Sequence, residues 1–386
     1  MQNQDDNLLK FDIPEIIYGR GSLSKIGQCA ARLGGEKVFV VTDSGIINAG
    51  WLDKTLEYLK QEGLRYIVYD NVVTNPRDFQ AEHGVQLYLK KDCDVIIALG
   101  GGSPIDTAKG IAILATNHGS INEYSGCNLV LHPIPPLVCV PTTAGTGADI
   151  SQFAVFLDIK KKMKMCILSR TIMPDISLID PELLRSLSPE LIAATGMDTL
   201  THAIEAYVSS LSWPMTDPHA IHSIKLVAEH LVNAVKTKDI TALEGMSIAS
   251  LEAGMAFSNA ILGAVHALSH PLGGLYDLHH GLVNSVILPA VLGQNLSHAI
   301  PKFAHISKAL GLKSKGMSIE DAALHTPEKV KELIEALGLP TRLSKMGVDA
   351  GDIPIMAEMA KDDICMLTNP CSYSKENIEA MYREVW

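Results

Sequence analysis

The sequence predicts a two-domain α/β protein, with a doubly wound parallel sheet over residues 1–184 joined to an all-helical domain over residues 185–386. Three observations carry this. In the first half, short β-branched runs that end in turn chemistry alternate with helical patterns. From about residue 185 the β signal fades and helical blocks take over. A length of 386 residues also makes two domains the default expectation.

VFVVTD (38–43), YIVYDN (66–71), VIIALGGG (95–102) and LVCVPTT (137–143) read as buried parallel strands, because each is a near-continuous apolar run. WLDKTLEYLKQEG and FQAEHGVQLYLKKD lie between them as helices. Ligands of a doubly wound sheet bind beyond the carboxyl ends of its strands. Asp43, Asn75, the run from Gly100 to Ser103, Thr142 and Thr143 fall there. In the second half, PELIAATGMDTLTHAIEAYVSS, PHAIHSIKLVAEHLVNAVKT, a long Ala/Met-rich block through His270, HGLVNSVILPAVLGQNL and PEKVKELIEALG read as helices. Ser188 and Pro189 supply an N-cap and a proline at the first helical position. A break is expected at Pro271, Gly273 and Gly274.

Composition narrows the function. The chain is 47% hydrophobic, ample for a large core, and its net charge of −11 argues against a nucleic-acid partner. No stretch approaches the roughly 18 uninterrupted apolar residues of a membrane span. The opening MQNQDDNLLK is acidic and polar, unlike a signal peptide. Seven cysteines with no C-x-x-C pair fit reduced thiols in a cytoplasmic enzyme.

Four residues carry the chemistry. Asp198 and His202 stand at i and i+4 in GMDTLTHAIEAY, which puts a carboxylate and an imidazole on one helix face. His266 follows in GAVHALSHPLGG, and His280 opens HGLVN. One carboxylate with three imidazoles is a ligand set for a divalent transition metal. Gly100–Lys109 (GGGSPIDTAK) follows the strongest strand and opens a helix. Its glycines and free amides suit a pyrophosphate, but a ligand-free tight turn fits the same residues. Pro141–Gly147 (PTTAGTG) offers hydroxyls and amides to a ribose or phosphate, but taken alone a plain loop accounts for it better. Asp43 ends a strand, where its carboxylate serves either an adenosine ribose diol or the N-cap of the next helix.

In this order, GGGSPIDTAK, PTTAGTG, IDPELL, ATGMDTLTHAIEAY, NAILGAVHALSHPLGG, HHGLVN and the closing NPCSYSKENIEAMYREVW resemble the iron-containing (group III) alcohol dehydrogenase family. The likeness runs from about Lys10 to Trp386. It implies a Rossmann-like first domain and a helical second domain, a dehydroquinate synthase-like architecture, with the active site between them. It implies that Asp198, His202, His266 and His280 hold Fe²⁺, or Zn²⁺, and that His270 relays protons without binding metal. It further implies NAD at Asp43 and Asn75 (adenosine half), at Gly101, Gly102, Ser103 and Asp106 (phosphates and the helix they open), and at Thr142, Thr143, Thr146, Lys164 and Phe153 (toward the nicotinamide). Phe257 would sit by the substrate.

Some residues depart from that pattern. Asp149 replaces a frequent Glu, and His279 stands where Pro is common, as a rival ligand or a surface residue. Phe153 replaces a polar residue of some relatives, which makes the pocket more apolar. Cys371 is expected to line it.

The implied reaction is hydride transfer between a short-chain primary alcohol or aldehyde and NAD(H), with the metal as Lewis acid. A homodimer or higher homo-oligomer is expected, with no nucleic-acid or membrane partner. A polyol dehydrogenase, for glycerol or propanediol, is the alternative on the same scaffold. A lyase acting on a phosphorylated substrate would need basic residues, yet between Ile192 and Leu292 only Lys225, Lys236 and Lys238 are basic. A metal-dependent hydrolase would need a carboxylate base beside the metal, and Glu205 is the candidate.

Overall fold

The computed structural model describes residues 9–386, so most of the opening segment read as unlike a signal peptide lies outside it. Strands β1 (Glu15–Tyr18), β2 (Lys37–Val41), β3 (Arg65–Tyr69), β4 (Val95–Gly100), β6 (Leu137–Pro141) and β9 (Ile176–Ile179) form one parallel sheet in the order β1-β9-β6-β4-β2-β3. A second, three-stranded sheet contains β5 (Gly126–Cys127), β7 (Phe153–Asp158) and β8 (Met163–Leu168), with β7 and β8 antiparallel. The four runs read as strands are β2, β3, β4 and β6. Of these, β2, β4 and β6 are interior strands and β3 is the edge strand beside β2; β4 is buried along its whole length. The sheet is sandwiched by helices α1 (Ile26–Arg32), α2 (Ser44–Asn48), α3 (Trp51–Gln61), α4 (Asp78–Lys90) and α5 (Gly102–Asn117). Separate apolar clusters lie on its two faces, one around Phe39, Ile96 and Ile111, the other around Val40, Ile97 and Leu99.

After β9 the chain is helical: α6 (Pro189–Val208), α7 (Asp217–Thr237), α8 (Ile240–Ala260), α9 (Ala264–Tyr276), α10 (His280–Asn295) and further helices to Val385. One apolar cluster unites them, with Leu200, Val265 and Val283 fully buried. Among the described residues no single helix is long and apolar enough to cross a membrane. Ser188 caps α6 by accepting from the Leu191 amide at 3.2 Å, with Pro189 in the first turn.

Two expectations about helix ends are corrected. The Ala/Met-rich block through His270 is two helices, α8 and α9, set at 101°. Ile261 turns the chain there with φ 63°, a conformation that is strained for a β-branched residue. The break expected at Pro271 falls instead at Asp277, whose φ of 53° ends α9. Pro271 sits inside α9, and Gly273 and Gly274 after it pack closely against β8 and the turn before it. A Cβ on Gly273 would meet the Lys164 side chain at 2.5 Å.

Candidate active site

The carboxyl ends of β2, β4 and β6 face the start of α6, α9 and α10 across a cleft of about 760 Å³. Asp43, Asn75, Gly101, Gly102, Ser103, Asp106, Thr142, Thr143, Thr146, Phe153 and Lys164 line it from the first domain. From the second come Asp198, His202, Phe257, His266, His270 and His280.

The helices build the polar centre two residues at a time. On α6, Asp198 and His202 share a face by their i, i+4 spacing, as do His266 and His270 on α9. One ligand atom each from Asp198, His202 and His266 lie within 4.8 Å of one another. His280, the first residue of α10, brings Nε2 to 3.9 Å from Asp198 Oδ1, and His266 Nε2 lies at 4.0 Å. Close helix contact permits this convergence. A Cβ on Gly281 would collide with the Ala194 carbonyl of α6.

Two of the three outer nitrogens are already used, while His280 Nδ1 is buried without a hydrogen-bond partner. His202 Nδ1 lies 3.1 Å from the Gly145 carbonyl, and His266 Nδ1 lies 2.5 Å from Glu205 Oε2. The Nε2 atoms therefore point their lone pairs inward. Burial holds the His266 and His280 imidazoles well below their ordinary pKa, hence neutral. Three imidazoles and one carboxylate suit a divalent transition ion. Glu205 is 3% exposed and also accepts from the Val265 amide at 2.6 Å. Burial pushes its carboxyl up to about 7 against these donors. It stands behind His266 as a support, which removes it as a hydrolytic base.

His270 Nδ1 lies 2.7 Å from Asp363 Oδ2. Burial works to raise the Asp363 carboxyl, but the charge and hydrogen bond of His270 hold it below its ordinary value. His270 Nε2 is left free on the cleft side.

Across the cleft, α5 begins at Gly102, just after the carboxyl end of β4. A Cβ on Gly102 would meet Thr146 at 2.8 Å, so glycine keeps the two loops in contact and leaves backbone amides open to a phosphate. Lys109 is buried and donates to the carbonyls of Ala148 (2.6 Å), Ser151 (2.6 Å) and Phe153 (2.7 Å), which fixes the Thr/Gly loop and the Phe153 backbone. Burial lowers the Lys164 ammonium to about 8, with Asp198 and Asp106 opposing. Asp43 caps α2 by accepting from the Ile46 amide at 3.0 Å, and it also borders the cleft. Asn75 borders the cleft too, but its amide donates to Asp277 at 2.7 Å across the domain boundary.

One side chain lies elsewhere than expected. Cys371 is outside the cleft, its thiol 3.2 Å from Asn295 Oδ1, while Cys365 lines the pocket. The helical turn at Ile364–Thr368 swings Cys365 inward, and Asn295 and Asn369 hold Cys371 away. Asp149 is buried behind the loop, accepting from Ser177 at 2.6 Å. His279 is the N-cap residue of α10 and half-buried in the cleft wall. The spacing of Glu205 from His202, i+3 on one helix, was a readable signal. Asn284, at i+4 from His280, was equally readable, whereas Asp363 and Cys365 gave no signal.

A nucleotide-type sheet facing a helical three-histidine, one-carboxylate centre defines a two-domain oxidoreductase cleft. Residues 14–181 match the iron-containing alcohol dehydrogenase model, and residues 192–386 match the model for the C-terminal part of the Fe-containing alcohol dehydrogenase family. The chain belongs to the iron-containing alcohol dehydrogenase family. It is 41% identical over 378 residues to 1,3-propanediol dehydrogenase of Citrobacter freundii, covering 97% of this chain and 98% of that one. It is 38% identical over 358 residues to NAD-dependent methanol dehydrogenase of Bacillus methanolicus, covering 92% and 94%. A crystal structure of 1,3-propanediol oxidoreductase superposes with a TM-score of 0.96 at 40% identity, covering 98% of this chain and all of that chain (100%). The chain is an oxidoreductase acting on alcohols.

Proposed function

We propose that this cleft transfers hydride between a short-chain primary alcohol, or its aldehyde, and NAD(H). The observation that carries the reading is the meeting of Asp198, His202, His266 and His280 with the Gly101–Ser103 turn in one cleft. Those four side chains would hold Fe²⁺, or Zn²⁺, which would supply Lewis acidity toward an alcohol oxygen. Gly101, Gly102, Ser103, Thr142, Thr143 and Thr146 would hold NAD, which would supply the hydride acceptor.

The chain's own groups do the rest. Glu205 and the Gly145 carbonyl aim two imidazoles inward. Asp363 keeps the His270 proton on Nδ1, so Nε2 receives a proton from the alcohol side and passes it toward solvent. Asp43 accepts from the ribose diol and repels a 2′-phosphate. Phe153 and Phe257, with ring centroids 5.9 Å apart, exclude water from the reacting end.

Absorbance at the reduced-nicotinamide band, with a panel of alcohols and aldehydes and Fe²⁺ or Zn²⁺ restored, tests the assignment. Turnover that persists in metal-depleted protein would overturn it. The relatives named for 1,3-propanediol favour a second reading, a diol dehydrogenase. The apolar Phe153 wall weighs toward mono-alcohols, because a second hydroxyl would be desolvated without a partner. The free cysteines and acidic charge fit a cytoplasmic enzyme, and we expect a homodimer or higher homo-oligomer.

A further inference from the structure

Asn284 is fully buried on α10, one turn after His280, in the middle of the polar centre. Its Nδ2 donates to Asp198 Oδ1 at 2.7 Å and lies 3.2 Å from His280 Nε2 and 3.5 Å from His266 Nε2. One amide group thus reaches the inward atoms of three helices at once. Its Oδ1 is buried with no hydrogen-bond partner, a costly arrangement for an amide that packing alone would not favour. The opposite amide orientation would set Oδ1 at 2.7 Å from the Asp198 oxygen, with two acceptors facing each other. The side chain therefore accepts an unpaired oxygen in order to keep its donor on the carboxylate.

We propose that Asn284 is a positioning residue of the metal centre. Its amide pins Asp198 Oδ1 and stands against the two imidazole nitrogens, holding the converging groups at their spacing before an ion arrives. Neutral lone pairs and a carboxylate facing one another in a buried site repel, and a neutral two-proton donor relieves this without adding charge. The inference rests on the metal-site reading above. Among residues around a metal site, such supporting hydrogen bonds typically change metal affinity 10–100-fold when lost. No proton or electron moves, and Asn284 need not touch substrate.

The test is Co²⁺ and Zn²⁺ affinity by chelator competition, with the visible Co²⁺ spectrum, on wild type, Asn284→Leu, Asn284→Ala and His202→Ala. Asn284→Leu keeps the branched shape with somewhat more bulk and deletes the donor, and Asn284→Ala serves if the leucine variant does not fold. The expected result is about a 10–100-fold loss of affinity in the Asn284 variants, with the Co²⁺ coordination number of the loaded protein unchanged. Wild-type affinity in an Asn284 variant, even one with a lowered Tm, overturns the proposal, since the role would be packing only. A drop in coordination number also overturns it, because the amide oxygen would then be a ligand. Failure of the wild type to bind one ion, or His202→Ala binding as wild type, instead overturns the metal-site reading on which it rests.

Discussion

Glu205 and His266 meet at 2.5 Å, a carboxylate on α6 fixing the imidazole of α9 that faces Asp198 and His280. The same α6 carries Asp198 and His202, so one helix supplies both members of the proposed ligand pair and the support for a third imidazole. Glu205→Ala would leave the Val265 amide and His266 Nδ1 unpaired. We expect a loss of about 1–3 kcal/mol in stability and about a 10–100-fold loss of metal affinity. Glu205→Gln, which can still accept from Nδ1, should do less of both. Denaturant titration beside chelator competition measures the two effects, and wild-type metal affinity in Glu205→Ala would refute this support.

Asp43 serves α2 and the cleft together, which shapes the cofactor test. Asp43→Asn keeps a cap acceptor and removes the charge, so the fold should hold while the preference for NADH over NADPH narrows. Asp43→Ala should also lose about 1 kcal/mol of stability with the cap. Comparing kcat/KM for the two cofactors decides the matter. A wild type that uses both equally would remove Asp43 from this role.

His270→Ala should retain stoichiometric metal and lower kcat by about 10²–10⁴-fold, as expected for a lost acid–base group. Asp363→Asn should fall between this variant and wild type, since the imidazole remains but its tautomer is no longer fixed. Metal content measured beside the kinetics separates relay from ligand. Metal lost together with activity in His270→Ala would make it a ligand.

Phe153→Asn should raise kcat/KM for 1,2- and 1,3-propanediol relative to 1-propanol, by pairing a hydroxyl that costs about 1–3 kcal/mol to bury unpaired. A kcat/KM series on both proteins reads this directly. A wild type that already prefers the diols would show the Phe153 wall to be no barrier.

The Asp106 carboxyl is pushed up to about 7, chiefly by burial, with Lys109 opposing. Its folded value lies above the ordinary 3.8, so the folded chain holds this proton more tightly than the unfolded chain. The resulting stability is whole below about pH 4 and is lost as pH rises toward 7. In metal-free protein Tm should fall modestly across that window, since the half-buried group borders an open cleft. Asp106→Asn should flatten the fall, and equal slopes in the two proteins would contradict it.

Much of this was legible in the chain. Strands β2, β4 and β6 announce themselves as apolar runs, because burial on both faces leaves no room for alternation, and the edge strand β3 reads as apolar although it is only partly buried. The β7–β8 hairpin does not, since Lys160, Lys161 and Lys162 at its turn and Lys164 within it break the pattern. Asp198 and His202 are visible by helical spacing. Their meeting with His266 and His280 is set by how closely α10 crosses α6 at Gly281, which no spacing encodes. The pairing of His270 with Asp363 spans 93 residues and is equally silent in the sequence.

The aromatic rings form a continuous line. Phe153 leans on Phe257 at 5.9 Å, Phe257 stacks on His202 at 4.5 Å, and His202 stacks on His266 at 4.6 Å. The aromatic wall proposed to screen substrates is thus also the brace of an imidazole in the proposed metal centre. Redesigning the pocket by trimming Phe257 would loosen His202, so a broader substrate range and firm retention of the ion are competing traits in this scaffold. Variants selected only for new substrates should need more free metal in the medium as the Phe257 ring is cut back.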